Sequence, residues 1–289
     1  MDFTNVDLHL HSTASDGTDS PVEIVEKIRE KGIKTFALTD HDTVRGVEEI
    51  LSKADLTGLR FIKGVEFSCR SSKLCHILGY GYDIKSSCIR QMCRRQMESH
   101  REKMVARIAF LKDNFNITFT DEELDQLNRM NRRGKPHLAQ LMVQKGIADN
   151  KTDAFENYLN KIKTNVTDPS PAPAIKAIQK AGGVAIWAHP LGGEGEKRLS
   201  PERFQKELSD LLEMGIQGLE CYYSRYTEEE VRFLLDTAQK YDLLVSGGSD
   251  YHGKIKTVKL GQLNRDNLRI FDTQLTVLKD YNINFMELI

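Results

Sequence analysis

The stretch VDLHLHSTASDG, residues 6–17, places His9 and His11 two residues apart after a short apolar run. Residues two apart on an extended strand leave from the same face, so the two imidazoles point toward one place. Asp16 follows in a loop rich in Ser, Thr and Gly. Borderline divalent ions favour imidazole nitrogen and carboxylate oxygen together. The stretch therefore predicts a metal site after a first strand, with a pair of surface histidines as the alternative.

The rest of the chain divides into an alternating part and a helical part. Apolar strands and amphipathic helices alternate up to residue 85, and the same rhythm returns from residue 170. This alternation predicts a parallel α/β architecture. The polar segment between them has apolar residues at helical spacing, which predicts an inserted all-α cap domain. We expect a core domain formed by residues 1–85 and 170–289, with the cap at 86–169.

The histidines and acids are concentrated at strand ends. Six of the eight histidines lie in or beside predicted strands: His9, His11, His41, His76, His189 and His252. Acids occur near them: Asp16, Asp40, Asp42, Glu66, Glu220 and Asp250. The carboxyl ends of parallel strands meet at one face, and clustered carboxylates repel one another unless cations neutralise them. The pattern therefore predicts a site for more than one metal ion.

Six motifs in this order resemble those of the polymerase and histidinol phosphatase (PHP) family. They read DLHLHSTASDG, LTDHDT, GVEFS, HILGY, AHP and SDYH. The resemblance covers residues 1 to about 85 and 170 to 255. It implies a distorted (β/α)7 barrel and three divalent metal ions, with zinc, manganese and iron as the candidates.

The resemblance also implies nine metal ligands in three groups. The first ion is held by His9, His11, Asp250 and Glu66. Glu66 bridges to a second ion, which is also held by His76 and His189. The third ion is held by Asp16, His41 and His252. Four of these ligands are expected to take part in catalysis: Asp16, His41, Glu66 and His252.

Other residues near these motifs have predicted supporting roles. We expect Asp40 to orient the imidazole of His41, and Asp42 to form a turn or cap a helix. For Glu220, contact with a metal ligand and a purely structural role both stay open. Trp187 is expected to pack in the core. Ser12 and Ser249 lie beside ligands, and we expect them to orient loops.

Clustered divalent ions suit the hydrolysis of phosphate esters. They lower the pKa of bound water and neutralise charge on the phosphoryl oxygens. The predicted mechanism is attack on phosphorus by a metal-bridging hydroxide. No serine or cysteine nucleophile stands out in the sequence.

Basic residues in the predicted cap and core are candidates for substrate binding. The motif RRGKPHLAQLM opens a helix with four of them: Arg132, Arg133, Lys135 and His137. Helix N-termini with basic neighbours suit anions, and Arg225 is a candidate for bidentate phosphate contact. The alternative is ordinary surface charge. Three tyrosines are candidates for stacking on a base, with packing as the alternative: Tyr222, Tyr223 and Tyr226.

These features resemble stand-alone PHP phosphoesterases with a helical insert after the motif ending GYD. That group includes nucleotidases acting on 5′-nucleoside monophosphates and 3′,5′-bisphosphates, and some relatives trim short RNA from the 5′ end. The resemblance implies a phosphomonoesterase of nucleotides or short 5′-phosphorylated oligonucleotides. The alternatives are a histidinol phosphatase and a non-catalytic PHP module.

Composition restricts the partners. The net charge of −1 gives no general attraction to long duplex nucleic acid or to an anionic membrane. No apolar run approaches the roughly 20 residues of a membrane span, and the first residues lack a signal-peptide pattern. We therefore expect a soluble, cytoplasmic enzyme with a small phosphorylated substrate.

Overall fold

The computed structural model describes residues 5–72, 74–129, 134–163, 166, 168–193 and 198–279. The chain forms two compact units. One comprises Met1–Cys93 with Pro169–Ile289, and the other is Arg94–Asp168. The expected limits of the inserted segment, 86 and 169, lie close to those of the second unit. The first limit differs because one long helix, Ser87–Phe115, runs across the boundary.

The first unit contains a single seven-stranded sheet in chain order. Its strands are β1 Val6–Asp7, β2 Thr35–Leu38, β3 Arg60–Arg70, β4 Leu74–Tyr80, β5 Val184–Trp187, β6 Gly218–Tyr223 and β7 Leu244–Gly248. The helices between strands are α1 Pro21–Glu30, α2 Arg45–Lys53, α7 Pro171–Lys180, α8 Pro201–Glu213 and α9 Glu228–Lys240. Helices α3 to α6 follow β4 and are described below.

Backbone hydrogen bonds join the two outer strands of the sheet. The N–H of Leu8 donates to the carbonyl of Gly247 (3.2 Å), and the N–H of Asp250 donates to the carbonyl of His9 (2.9 Å). A further parallel bridge pairs Leu10 with Tyr251. The sheet therefore closes into a barrel, and the predicted (β/α)7 fold class is confirmed.

Strand β4 runs antiparallel to both of its neighbours, so the expectation of a wholly parallel sheet is wrong at this strand. Only residues 71–73 connect it to β3, whereas a parallel crossover needs a dozen residues or more. The reversal has a consequence for His76, which lies near the start of β4 opposite Ser68. His76 therefore lies at the edge of the sheet where the parallel strands end.

The helices pack their apolar side chains against the outside of the barrel. Helix α1 begins with a capping box between Ser20 and Glu23, which satisfies the N–H groups that the first turn leaves unbonded. Trp187 stacks on Phe204 of α8, with ring centroids 5.4 Å apart. The predicted packing role of Trp187 is confirmed.

The described part of the second unit is helical. Helix α3 (Ser87–Phe115) is followed by α4 (Asp121–Arg129), α5 (Lys135–Gln144) and α6 (Lys151–Asn157). Buried apolar residues give this unit its own core: Met104, Leu111, Leu138, Met142 and Leu159. Among the described helices, including the 29-residue α3, none has the length and apolar character that crossing a membrane requires.

Replacing Gly248 by alanine is expected to open the seam between the first and last strands. A Cβ at this position would meet the backbone and Cβ of His9 at less than contact distance. Overpacking of this kind costs typically 1–3 kcal/mol. Urea denaturation of metal-free protein should show a loss of about 3 kcal/mol for Gly248→Ala.

Gly32→Ala is the matched control, because Gly32 has a φ of 72° with nothing within 4 Å of an added Cβ. It should cost only the left-handed backbone penalty of about 1 kcal/mol. Equal losses for the two variants would contradict the close approach at the seam.

Candidate metal centre

The carboxylate of Glu66 lies at the middle of five imidazoles and is 1% exposed. Its Oε2 lies 3.2 Å from each of three ring nitrogens: His9 Nε2, His11 Nε2 and His41 Nδ1. Its Oε1 lies 2.9 Å from Nδ1 of His76 and 3.1 Å from Nε2 of His189. The structure thus brings five histidines, from four of the six motifs, to one carboxylate.

Backbone pairing explains why His41 meets Glu66. The chain after β2 continues beside β3, with a parallel bridge between these two residues. The N–H of Glu66 donates to the carbonyl of Asp40 (3.3 Å), and the N–H of Asp42 donates to the carbonyl of Glu66 (2.9 Å). Glu66 therefore occupies the middle of β3 and still faces a loop residue.

Asp250 forms a second carboxylate contact in the same place. Its Oδ1 lies within 3.3–3.6 Å of three ring nitrogens: His11 Nε2, His252 Nδ1 and His9 Nε2. Its Oδ2 accepts hydrogen bonds from the Tyr223 hydroxyl (2.9 Å) and from Nζ of Lys256 (2.6 Å). Oδ1 thus faces the imidazoles, and Oδ2 is held by Tyr223 and Lys256.

Asp16 lies at the open side of the cluster, with 27% of its side chain exposed. Its Oδ1 is 3.4 Å from Nε2 of His252 and 3.8 Å from Nδ1 of His11. Its Oδ2 is 3.9 Å from Nε2 of His41. All nine residues expected as metal ligands therefore lie in one connected cluster.

Ligand atoms within this cluster form three overlapping groups, each with its atoms within 4.8 Å of one another. The groups are His9–His11–Asp250, His41–Glu66–His76 and His11–Asp16–His41–His252. The first agrees with the expected grouping apart from Glu66. The others differ because His41 joins Glu66 and His76, and because His11 belongs to two groups. His189 remains close, with its Nε2 3.3 Å from Nδ1 of His76.

Several buried atoms of the cluster lie close to one another but form no hydrogen bond of suitable geometry with any described residue. They are Nε2 of His9, both ring nitrogens of His11, Oε2 of Glu66 and Nε2 of His76. Leaving such atoms unsatisfied costs about 1–3 kcal/mol each. They are also the nitrogen and oxygen types that zinc, manganese and iron bind. The residues therefore fit a site for divalent ions.

The electrostatics of the cluster favour bound cations. Burial favours the neutral form of Glu66, yet positive charge on His41, His9 and His76 holds its pKa well below the usual range. Burial opposes protonation of His9, but the negative charge of Glu220, with Glu66 and Asp250, raises the pKa of His9 well above its usual value. A field that retains protons on imidazoles also attracts metal ions when the imidazoles are neutral.

Comparison with known proteins places this chain in a family. The model of the PHP domain matches residues 7–167. A 5′-3′ exoribonuclease of Haemophilus influenzae is 31% identical, over 95% of this chain and 98% of that protein. The chain belongs to the PHP family.

Two further similarities extend over most of this PHP chain. A 3′,5′-nucleoside bisphosphate phosphatase of Chromobacterium violaceum is 27% identical over 86% of the chain and 88% of that protein. The structure of a proposed metal-dependent phosphoesterase of Bifidobacterium adolescentis has a TM-score of 0.73 and 31% identity, covering 91% of this chain and 93% of that one. The predicted enzyme class, a metal-dependent phosphoric ester hydrolase, is confirmed.

Glu220 orients two histidines of the PHP cluster. Its Oε1 lies 2.8 Å from Nδ1 of His9, and its Oε2 accepts the backbone N–H of His189 at 2.7 Å. Because Nδ1 of His9 faces this carboxylate, Nε2 is left for the centre. Of the two alternatives for Glu220, the structure therefore favours contact with the residues expected as ligands.

The hydrogen bonds described for the Asp40 carboxylate go to the loop after His11, and orientation of His41 by Asp40 stays a prediction. Its Oδ1 accepts hydrogen bonds from the Ser12 N–H (2.8 Å) and the Ser15 hydroxyl (2.6 Å). Its Oδ2 accepts one from the Ser12 hydroxyl (2.7 Å). Asp40 thus fixes the loop between His11 and Asp16, and the loop-orienting role of Ser12 is confirmed.

Of the two roles expected for Asp42, the structure shows the turn. Its φ is 59°, and its Oδ1 accepts the N–H of Ser68 at 2.8 Å. Helix α2 begins at Arg45, and its N-cap residue Val44 makes no side-chain bond. The N–H of Asp42 also bonds the carbonyl of Glu66, so both the backbone and the side chain of Asp42 contact β3.

Asp7 was not identified from the sequence, although it supports the centre. It is fully buried and accepts the N–H groups of His9 (3.3 Å), Ser249 (2.9 Å) and Gly261 (2.8 Å). Burial raises its pKa to about 6 against the effect of these bonds. An acid in an apolar strand directly before the two histidines was the available signal. The hydrogen bond from the Ser249 N–H to Asp7 orients the loop of Ser249, as expected.

Lys256 is a second residue that the sequence analysis missed. It contacts Asp250, and it lines a cavity of about 70 Å³ together with residues of the cluster. The other lining residues are His41, Glu66, His76, His189, Gly193 and Asp250. The available signal was the lysine-rich sequence that directly follows His252.

The residues expected to bind substrate in the helical segment have different outcomes. Arg132 and Arg133 lie outside the described residues. Lys135 and His137 open α5, where Nδ1 of His137 accepts the N–H of Gly134 at 3.2 Å. This contact completes a helix cap, and phosphate binding by these residues stays a prediction.

The tyrosines near Arg225 are buried, so packing describes them and base stacking does not. Tyr222, Tyr223 and Tyr226 are at most 6% exposed. The hydroxyl of Tyr226 accepts the N–H of Leu191 at 2.9 Å. Arg225 is half-buried and lines a separate cavity, and phosphate binding by it stays a prediction.

Glu220→Gln is expected to weaken metal binding without unfolding the chain. Glutamine keeps the size of the side chain but removes the charge that fixes the orientation of His9. Loss of such an outer contact typically costs 10- to 100-fold in metal affinity. Competition titration with a chelating dye should measure a decrease of roughly that size.

Glu213→Gln, at an exposed position of α8, is the matched control and should keep the wild-type metal affinity. Equal affinities for the two variants would contradict the role given to Glu220.

The stability of the metal-free protein and the stabilisation by added metal should change with pH in opposite directions. The pKa values of His9, His11 and His189 are raised. Their contribution to stability is therefore complete below their ordinary pKa of 6.5 and is lost as pH rises through the folded-state values. The lowered pKa of His252, caused by burial and by His11, acts in the opposite sense on one group only.

Thermal unfolding between pH 6 and pH 9 checks this expectation. The Tm of chelator-treated protein should fall as pH rises, whereas the gain in Tm on adding zinc should grow because metal ions bind neutral imidazoles. A zinc-induced gain that is independent of pH would exclude the imidazoles as ligands.

Proposed function

We propose that this PHP protein hydrolyses phosphate monoesters of nucleotides. The proposed substrates are 5′-nucleoside monophosphates, 3′,5′-bisphosphates and short 5′-phosphorylated oligonucleotides. The observation that carries the proposal is the buried Glu66 carboxylate within five imidazoles, several of whose atoms have no other partner among the described residues. The names of the Haemophilus and Chromobacterium relatives support nucleotide substrates.

We further propose that three divalent ions occupy the cluster, with zinc, manganese or iron as candidates. The proposed ligands are the nine residues already described: His9, His11, Asp16, His41, Glu66, His76, His189, Asp250 and His252. When bound, such ions supply Lewis acidity and water of lowered pKa. Asp16, His41, Glu66 and His252 are the ligands assigned to catalysis, and the exposed edge of Asp16 lies where a substrate can enter.

The chain's own contribution is to orient these groups and to supply positive charge. Glu220 fixes His9, Asp40 fixes the loop that carries Asp16, and Tyr223 holds one oxygen of Asp250. The ammonium group of Lys256 lines the small cavity beside the centre. There it can neutralise a phosphoryl oxygen and donate a proton to the leaving alkoxide as the ester P–O bond breaks.

The small net charge supports small substrates over long duplexes, because little affinity would come from counterion release. A cytoplasmic location stays a prediction.

A panel of phosphoesters assayed on protein of measured metal content tests the proposed function. We expect hydrolysis of AMP, adenosine 3′,5′-bisphosphate and a 5′-phosphorylated diadenylate, with inorganic phosphate measured as product. Histidinol phosphate should be hydrolysed at least about 10-fold less efficiently. A protein that contains metal and prefers histidinol phosphate would support the other small-molecule phosphatase function instead.

Glu66→Ala should lower kcat/KM for AMP by about three orders of magnitude, because it removes the carboxylate shared by two proposed ion sites. Metal analysis should show fewer bound ions. Glu213→Ala is the control and should retain both activity and metal content. An active Glu66→Ala enzyme would exclude this centre as the site of hydrolysis.

A further inference from the structure

Two cysteines of the β3–β4 hairpin lie directly opposite each other. Cys69 and Cys75 are cross-strand partners in the antiparallel ladder, and both are present as thiols. Side chains of directly opposite residues lie on the same face of a sheet. The two sulfur atoms are therefore on one side of the hairpin, on neighbouring strands.

The hydrogen-bond pattern identifies which kind of cross-strand pair the cysteines form. The carbonyl of His76 accepts the N–H of Ala188 (3.0 Å), and the N–H of Arg70 donates to a carbonyl outside the hairpin (2.8 Å). Both residues thus direct backbone groups away from the partner strand. Because this direction alternates along a strand, the backbone groups of Cys69 and Cys75 face each other. The cysteines form a hydrogen-bonded pair.

This geometry permits a disulfide, but a strained one. The Cα atoms of hydrogen-bonded pairs lie about 5.5 Å apart, within the range that disulfides span. Their Cβ atoms are up to about 5.5 Å apart, whereas a disulfide brings Cβ atoms to about 3.8 Å. Closing the bond must therefore draw the two strands together by roughly 1–2 Å. Strained disulfides are the ones that thiols readily reduce.

The turn of the hairpin is held in place beyond the cysteines. The hydroxyls of Ser71 and Ser72 both donate to the carboxylate of Glu207, which is buried on α8. A movement of the strands is therefore resisted at the turn. The displacement passes instead to the next pair of the ladder, which is Ser68 with His76.

His76 follows Cys75 in β4 and points to the opposite face of the sheet. Successive side chains of a strand alternate between faces, so the imidazole faces Glu66 (2.9 Å) while both thiols face away from the metal cluster. The cysteines belong to the apolar core of the first unit. A change in their bonding therefore affects the cluster through the backbone of His76. Metal–ligand distances tolerate changes of only about 0.2 Å.

We propose that Cys69 and Cys75 form a reversible disulfide, and that this modification weakens metal binding by displacing His76. Formation of the disulfide is independent of the proposed function, whereas its effect on bound ions rests on the metal centre proposed there. The site takes a peroxide as oxidant and a thiol as reductant. The oxidised chain holds its ions less tightly, and reduction restores the affinity.

Cys75 is the first of the two sulfurs to react, because it is 6% exposed and Cys69 is fully buried. Its sulfur attacks one oxygen of hydrogen peroxide and breaks the O–O bond, which gives a sulfenic acid and water. The sulfur of Cys69 then attacks the sulfenic sulfur, forms the S–S bond and releases a second water. The two thiols thus lose two electrons and two protons, and the peroxide takes them up as water.

Oxidation of the zinc-loaded chain with hydrogen peroxide tests the modification. Incubation for hours is appropriate, because buried thiols react slowly. The remaining thiols are then alkylated and the protein is digested with trypsin. Cleavage after Arg70 and Lys73 places the two cysteines in separate peptides, residues 64–70 and 74–85. Mass spectrometry should show these peptides joined by a disulfide, and dithiothreitol added before alkylation should abolish the link.

Cys75→Ala should lose the link. Cys88→Ala removes a half-buried cysteine of the same unit, outside the strand pair, and is the matched control that should keep it. Wild-type protein without the link, or with Cys75 linked to another cysteine, would overturn the proposal.

The zinc affinity of the same samples tests the effect on the cluster. Competition with a chelating dye should give about 10-fold weaker binding for oxidised than for reduced wild-type protein, the lower end of the range for groups that orient ligands. Dithiothreitol should restore the affinity, and peroxide should leave that of Cys75→Ala unchanged. Equal affinities of oxidised and reduced wild type, with the disulfide present, would reject the coupling to His76.

Failure of this proposal is distinguishable from failure of the proposed function. A reduced wild-type protein that binds no zinc would reject the metal centre, while the joined peptides would still establish the disulfide. The comparison of oxidised and reduced wild type requires no substitution, so it decides the result even if Cys75→Ala does not fold.

Discussion

Burial of the Glu66 carboxylate is the constraint on which the rest of the structure depends. A carboxylate out of water is stable only with positive charge and hydrogen-bond donors around it. The fold supplies these from strands and loops that are far apart in the chain, and it places Asp250 and Glu220 close by. Neutral imidazoles carry no positive charge that could balance these carboxylates. The barrel is thus organised around a place where cations lower the free energy.

The reversal of β4 solves a geometric problem for this centre. In a wholly parallel barrel, a residue at the start of a strand lies at the face opposite the active site. The hairpin after β3 turns β4 around, so its first residues lie at the catalytic edge, and His76 reaches Glu66. The hairpin also lets Glu66 occupy the middle of a long strand, since β4 pairs with the second half of β3, from Gly64 to Arg70.

The sequence was sufficient for the strands, the barrel-flanking helices and the convergence of the nine expected ligands. Local pattern located β2 at Thr35–Leu38 because four buried residues sit between clear helix signals. The direction of β4 was not recovered, because hydrophobic pattern carries no information on strand direction. The partners of Asp40 and the position of Lys256 were also missed, since both depend on loops whose contacts form only in the folded chain.

The seam between the first and last strands determines when the barrel can close during synthesis of the chain. His9 supplies a ring nitrogen to the cluster and a backbone carbonyl to Asp250, more than 200 residues later in the chain. Strand β1 is therefore synthesised long before β7, the strand that completes its pairing. Closure of the cluster is consequently a late step of folding, because a chain halted before residue 250 lacks Asp250, His252 and the backbone bond from Asp250 to His9.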